Sequence, residues 1–239
     1  MVLQLTGKIA MVTGGSRGIG RAIVERFLNA GAAVGYCARQ EESVKESLPA
    51  LATRFGTKVD AQVADVRSRD SVQQFFGWMD ARFGGLDILV NNAGVGRFAT
   101  LEELNVDEWN DVIGTNLTGA YHCIHEALPR LKKRGGGWIV NIGSLAGKNA
   151  FAGGAAYNAS KFGLRGLSEA VMLDHRYEGV RVTSILPGSV ATGFGRGSQG
   201  SDDWKIHPGD VADSVAMILS MPERTLISQV EIRPSRPRK

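Results

Sequence analysis

Tyr157 and Lys161 stand four residues apart in a stretch, 155–177, whose apolar spacing reads as a helix. Side chains at i and i+4 share one helix face. An ammonium beside a phenol favours the phenolate and draws its pKa down from about 10. That moves a weak acid toward the range where proton transfer at neutral pH is efficient. The pair alone is a common helix-surface pattern. Ser144, 13 residues upstream and just after a strand-like run, gives it weight. It sets a hydroxyl at a sheet edge beside the start of the tyrosine helix. Together these groups could hold a substrate oxygen and move a proton to or from it.

A second constellation is Thr13-Gly14-Gly15-Ser16-Arg17-Gly18-Ile19-Gly20, after an apolar run and before a helical one. Glycines let a backbone turn tightly and approach a phosphate, and the following helix offers free N–H groups and a positive dipole end. The P-loop template fails, because Gly20 is followed by Arg21-Ala22 where Lys and Ser/Thr are needed. G-x-G-x-x-G fails as well, since Gly18-x-Gly20 leads to Ile23. What remains is T-G-x-x-x-G-x-G. Alone, it could equally serve to pack a helix closely on a sheet.

The elements that must position these residues alternate. Ile9–Thr13, Ala33–Ala38, Val59–Val63, Leu86–Asn91, Trp138–Ile142, Val180–Leu186 and Val230–Arg233 read as strands. Helical patterns cover 18–30, 41–54, 69–83, 107–133, 155–177 and 209–220. Several strands lack polar alternation, as expected when helices cover both sheet faces. Strand–helix alternation predicts βαβ units with right-handed crossovers and a parallel seven-stranded sheet. One doubly wound α/β domain over 1–239 is the economical reading. Residues 193–207, rich in Gly and Ser, follow a strand at the carboxyl edge and are expected to form a substrate lid. The connectors 94–100, 145–155 and 189–207 border the site and set its pocket.

Composition bounds the classes. With 239 residues, 43% hydrophobic and 22% charged, the chain is an ordinary globular protein, long enough to bury a core without disulfide or metal. The net charge is +4 and the pI about 9.2, which could suggest nucleic acid. However, Arg233, Arg236, Arg238 and Lys239 form a basic tail, 233–239, without acids, and the remaining chain has 24 residues of each sign. No nucleic-acid partner is expected. Cys37 and Cys123 form no disulfide framework, which suits a reducing cytoplasm. No 18-residue apolar run and no secretory leader are visible, so no membrane partner is expected. His122, His125, His175 and His207 lack metal-ligand spacing. Lys132, Lys133 and Arg134 complement a helix C-terminus, or serve an acidic carrier.

The ordered set resembles the short-chain dehydrogenase/reductase family. The glycine turn matches its cofactor turn, Asn91-Asn92-Ala93-Gly94 its N-N-A-G motif, and Pro187-Gly188 with Thr192 its P-G motif. Asn116, Ser144, Tyr157 and Lys161 match its catalytic tetrad. The matches run from 13 to 192, about three-quarters of the chain. The resemblance implies a Rossmann fold and oxidoreduction of a carbonyl or alcohol. Tyr157 would be general acid or base, and Lys161 would lower the tyrosine pKa and contact the nicotinamide ribose. Ser144 would hold the substrate oxygen. Asn116 would hold a relay water, or else be a buried amide bonded to backbone. Cofactor contacts would come from Gly14, Ser16, Arg17, Gly18, Ile19, Gly20, Arg39, Asp65, Val66, Asn92, Ala93, Gly94, Tyr157, Lys161, Pro187, Gly188, Val190 and Thr192. Asp65 could instead cap the helix starting near Ser68.

The second strand ends Tyr36-Cys37-Ala38-Arg39, with no acid before Glu41. An acid there would favour NAD, and a base the 2′-phosphate of NADP. Arg39 and Arg17 therefore predict NADP(H), since guanidinium suits phosphate. The long helical patterns imply a homodimer or homotetramer by resemblance. The C-terminal end, Ser228 to Pro237, departs from the Gly-rich finish of 3-oxoacyl-carrier reductases. It looks more like branches that reduce ketones or small carbonyl compounds. A ketone or 3-oxoacyl reductase is the first expectation, and a dehydrogenase of a small hydroxy acid or polar alcohol the second. A regulatory NADP(H)-binding protein would be expected to have lost a catalytic residue, whereas all four are present.

Overall fold

The computed structural model describes residues 3–194 and 203–237. Its elements run β1 (Ile9–Thr13), α1 (Gly18–Asn29), β2 (Ala33–Ala38), α2 (Glu41–Phe55), β3 (Val59–Val63), α3 (Arg69–Phe83), β4 (Ile88–Asn91), α4 (Val106–Ile113), α5 (Gly119–Lys133), β5 (Gly137–Ile142), α6 (Ala155–His175), β6 (Val180–Pro187), α7 (Pro208–Leu219) and β7 (Gln229–Ile232). The seven strands form one sheet in the order β3-β2-β1-β4-β5-β6-β7, all pairs parallel. Strand order reverses between β1 and β4, and that switch point opens a crevice at the carboxyl ends where open α/β sheets bind ligands.

Alternation along β1 shows how the layers are built. Ala10 and Val12 point into one core with Ile23, Val24 and Phe27 of α1 and with Val211 and Val215 of α7. Ile9 and Met11 point into the other, with Phe75, Phe76 and Met79 of α3 and with Cys123, Ile124 and Leu131 of α5. Successive strand side chains face opposite ways, so a strand covered on both faces is apolar throughout, and all five β1 residues are buried.

Several element ends shift by a residue or two, β7 running Gln229–Ile232 rather than Val230–Arg233, and two further differences stand out. The helical pattern 107–133 is broken into α4, a π turn over Gly114–Thr118, and α5. β4 begins at Ile88 rather than Leu86, and the Asp87 carboxylate just before it accepts from the Ile9 amide. Residues 195–202 of the expected lid, Arg196 among them, lie outside the described residues. Its flanks are held by backbone bonds, Ala191 N–H to the Ile206 carbonyl at 2.8 Å and Ile206 N–H to the Ser189 carbonyl at 3.0 Å. Arg233, Pro234 and Pro237 of the basic tail border the central cleft. Among the described residues, no helix is long and apolar enough to cross a membrane.

Candidate active site

A cleft of about 1150 Å³ follows the carboxyl edge of the sheet. At one end lies the turn between β1 and α1. α1 starts at Gly18 behind Arg17, with no side-chain cap and no acid in its first turn. Its leading N–H groups therefore lack intrahelical partners and are left to an anion. Gly14, Ser16, Arg17, Gly18 and Ile19 line this end. Gly20 does not line this cleft but permits the turn: a Cβ there would run into the Gly14 carbonyl and the Asn92 amide.

The turn is tied across the switch point to the end of β4. Asn92 Nδ2 donates to the Thr13 and Gly14 carbonyls at 3.0 Å each. The Thr13 hydroxyl accepts from the Asn92 and Ala93 amides, each at 3.0 Å. Thr13 was not among the expected site residues. Its place as the opening residue of the motif was the available signal.

At the end of β2, Arg39 lines the cleft, and its Nη1 lies 3.3 Å from Asp111 Oδ1 of α4. Asp111 also receives Arg67 at 2.9 Å and Arg97 at 3.2 Å. Asp65 does not cap α3; Ser68 does, accepting from Ser71 N–H. Asp65 instead accepts from the Arg67 backbone N–H and from its Nε, both at 3.0 Å. That guanidinium holds the Asp65 carboxyl below its ordinary pKa. Val66 is packed on α5 at Gly119 and lines the cleft beside Asp65. Thr115 of the π turn also lines it, and its buried hydroxyl has no partner among the described residues. Buried polar atoms are normally paired. The uncapped helix start, the glycine passage and this orphaned hydroxyl thus fit an extended phosphate-bearing ligand.

The other end holds the proton-transfer groups. Ser144 follows β5 in extended conformation, and its hydroxyl accepts from Ala146 N–H at 3.1 Å. Tyr157 and Lys161 project from the first turns of α6 into the same cleft. Lys161 is 5% exposed. Its Nζ donates to the Ile142 carbonyl at 2.9 Å and lies 5.8 Å from the phenol ring centroid. Burial draws its pKa down to about 8. The expected lowering of the tyrosine pKa is corrected: desolvation holds the Tyr157 phenol above its ordinary value, and the Ser144 hydroxyl only partly offsets this. Burial disfavours the charged form of both groups.

Asn116 sits in the π turn, 2% exposed. Its Oδ1 accepts from Val95 N–H at 2.8 Å, and its Nδ2 donates to the Val95 carbonyl at 2.9 Å and to Ser160 Oγ at 3.0 Å. The side chain is thus an amide bonded to backbone, and Oδ1, which accepts one bond, keeps a second lone pair. Ala93, Gly94, Pro187, Gly188, Val190 and Thr192 line the middle of the cleft. Gly188 N–H donates to the Ile232 carbonyl at 2.8 Å. Phe98, Phe151 and Phe194 also face the cleft. They lie within the connectors 94–100, 145–155 and 189–207 expected to set the pocket, but none was named singly, because no periodicity encodes where a connector side chain points.

Comparison with known proteins places this arrangement. The model of the short chain dehydrogenase family matches residues 8–202. An uncharacterized oxidoreductase of Staphylococcus epidermidis is 31% identical over 227 residues, 95% of this chain and 97% of that one. Among solved structures, an alcohol dehydrogenase of the archaeon Thermococcus sibiricus complexed with 5-hydroxy-NADP superposes with a TM-score of 0.88 at 29% identity, covering 97% of this chain and 99% of that one. A metagenomic short-chain oxidoreductase in complex with NADP gives 0.85 at 36%, covering 98% and 99%. A closed serine dehydrogenase complexed with NADP+ gives 0.84 at 30%, covering 94% of each.

Proposed function

The chain belongs to the short chain dehydrogenase family, and from that membership we propose that it is an NADP(H)-dependent oxidoreductase interconverting a ketone, or a 3-oxoacyl group, and the secondary alcohol. The observation that carries the reading is one cleft with an anion-ready turn at one end and Ser144, Tyr157 and Lys161 at the other. Arg17 and Arg39, with no acid between Ala38 and Glu41, suit the extra phosphate. The relatives solved with NADP-type cofactors support the same choice.

When bound, the nicotinamide supplies or accepts the hydride. The chain's own residues handle the oxygen and its proton. In reduction, Ser144 donates a hydrogen bond to the carbonyl oxygen. Tyr157, which burial keeps protonated at neutral pH, gives that oxygen its proton. The Lys161 ammonium stabilises the phenolate left behind. Asn116 Oδ1 and Lys161 Nζ both flank Gly94, 3.3 and 3.9 Å from where a Cβ would sit. A water between them would return the proton from solvent. Oxidation runs the same path backwards, with the phenolate as base. The protein works as a homodimer or homotetramer in a reducing cytoplasm, where the buried Cys37 and Cys123 remain thiols.

The test pairs binding with turnover. NADPH should bind at least tenfold tighter than NADH, and carbonyl-dependent loss of reduced-nicotinamide absorbance should fall about 10²–10⁴-fold in Tyr157→Phe while NADPH affinity holds. Equal dissociation constants would overturn the cofactor choice. A Tyr157→Phe enzyme that turns over normally would overturn the proton path.

A further inference from the structure

Three aromatic side chains from three separate connectors converge on the proton donor. Phe98, between β4 and α4, meets the Tyr157 ring edge-on, centroids 5.5 Å apart at 73°. Phe194, after β6, lies 5.8 Å from the same ring at 51°. Phe151, between β5 and α6, lies 5.8 Å from Phe98 at 49°. Phe151 and Phe194 are each 45% exposed, although large aromatics are usually well buried. All three line the cleft, so their exposed faces border the space that a substrate must enter to reach the phenol.

Gly96 keeps this arrangement open. A Cβ there would sit 2.7 Å from Phe98 Cζ and 3.0 Å from Phe194 Cε1, so any side chain at this position would push the two rings off their places. Three residues before Phe98, the Val95 backbone N–H and carbonyl are both fixed by Asn116. Charge follows the opposite distribution. Arg17 and Arg39 line the phosphate end. Among the described residues, no arginine or lysine stacks on Phe98, Phe151 or Phe194. Arg233, which borders the cleft, is ion-paired to Glu231 at 3.0 Å. The lysines that line the cleft are Lys161, whose Nζ donates to the Ile142 carbonyl, and Lys205, whose Nζ lies 5.9 Å from the Trp204 ring centroid, so a carboxylate placed among the three Phe rings would lose its water to apolar faces. An aromatic ring would instead find edges and faces at the separations that aromatic pairs favour.

We propose that the substituent of the carbonyl carbon lodged beside Tyr157 is an aromatic ring, so that the substrates are aryl ketones. This rests on the carbonyl reductase reading above and narrows it. The substrate oxygen meets Tyr157 and Ser144 while its ring enters the space bounded by Phe98, Phe151 and Phe194. Phe98 is then a specificity-determining residue.

The test uses a matched pair, phenyl methyl ketone and cyclohexyl methyl ketone, with acetoacetyl thioester and a 3-oxo acid as comparators, all with NADPH and the full chain. Conjugation makes the phenyl ketone the less electrophilic of the pair, so a preference for it reports binding. The expected kcat/KM is at least tenfold higher for the phenyl ketone, which also exceeds both comparators. Phe98→Leu keeps apolar bulk and removes the ring. It should cut the phenyl-to-cyclohexyl ratio about tenfold, mainly through KM, and Phe98→Ala should cut it at least as far. NADPH affinity within about twofold of wild type shows that both variants fold. A wild-type ratio at or below one, a higher kcat/KM for the thioester or the oxo acid, or a ratio unmoved by both variants overturns the aryl assignment. In those cases turnover that is lost in Tyr157→Phe leaves the carbonyl reductase reading standing. If no carbonyl is turned over, both fall.

Discussion

Lys161 is a charge that the fold shelters, 5% exposed. Burial takes its pKa from 10.5 to about 8, near enough to neutrality for ready proton exchange. A base whose folded pKa lies below its unfolded one binds fewer protons when folded between the two values. Stability contributed by this group therefore rises with pH across that window and is flat below it. Relative to Lys161→Met, the cofactor-free wild type should gain roughly 2–3 kcal/mol between pH of about 8 and 10, before the raised Tyr157 phenol titrates. Urea unfolding at a series of pH values measures this, and a constant difference between the two proteins would contradict it. The spacing of Tyr157 and Lys161 was legible because i and i+4 share a helix face. The sign of the phenol's shift was not, because spacing carries no information about how deeply a ring is buried. Phe98, Phe151 and Phe194 were illegible for a related reason: an isolated Phe in a connector has no period to reveal where it points.

At the scale of elements, strands and most helices were readable to within a residue or two, since β-rich runs and apolar periods alternate cleanly. The exception is the π turn over Gly114–Thr118. Its flanking residues keep right-handed helical dihedrals, Ile113 at φ −64°, ψ −45° and Gly119 at φ −63°, ψ −40°, so the apolar pattern runs through it unbroken. Such turns often mark functional sites. Here the turn carries the buried Thr115 and Asn116, and Asn116 ties the turn to Val95 and to Ser160 of α6. Asn116→Ala should therefore cost about 1–3 kcal/mol, because it leaves the Val95 N–H and carbonyl without their partners. Asn116→Asp should cost at least as much, because it buries a carboxylate and sets an oxygen against the Val95 carbonyl that the amide donates to. Denaturant midpoints with unchanged slopes measure this. If Asn116→Ala stays within about 0.5 kcal/mol of wild type, the amide is not what joins these segments.

At the scale of the molecule, the catalytic helix has two faces with different duties. The inner face of α6 presents Tyr157 and Lys161 to the cleft, while Phe162 and Leu173 on the same helix are 40% and 51% exposed. Tyr121 of α5 is 51% exposed. Helices α5 and α6 cover the same side of the sheet, contributing Cys123, Ile124, Leu167 and Val171 to one core. Their outer apolar residues thus suit a self-complementary contact with a second copy, the commonest way soluble chains associate. Light scattering should give a dimer or tetramer at micromolar concentration. A carboxylate forced into such a contact is left unpaired at a cost of several kcal/mol, so Leu173→Glu with Phe162→Glu should shift the chain to monomer. Its midpoint of thermal unfolding should fall, and the wild-type midpoint should rise with protein concentration, as coupled folding and association require. A wild-type chain that scatters as a monomer would refute the contact, and α6 would then hold Tyr157 in place from its inner face alone.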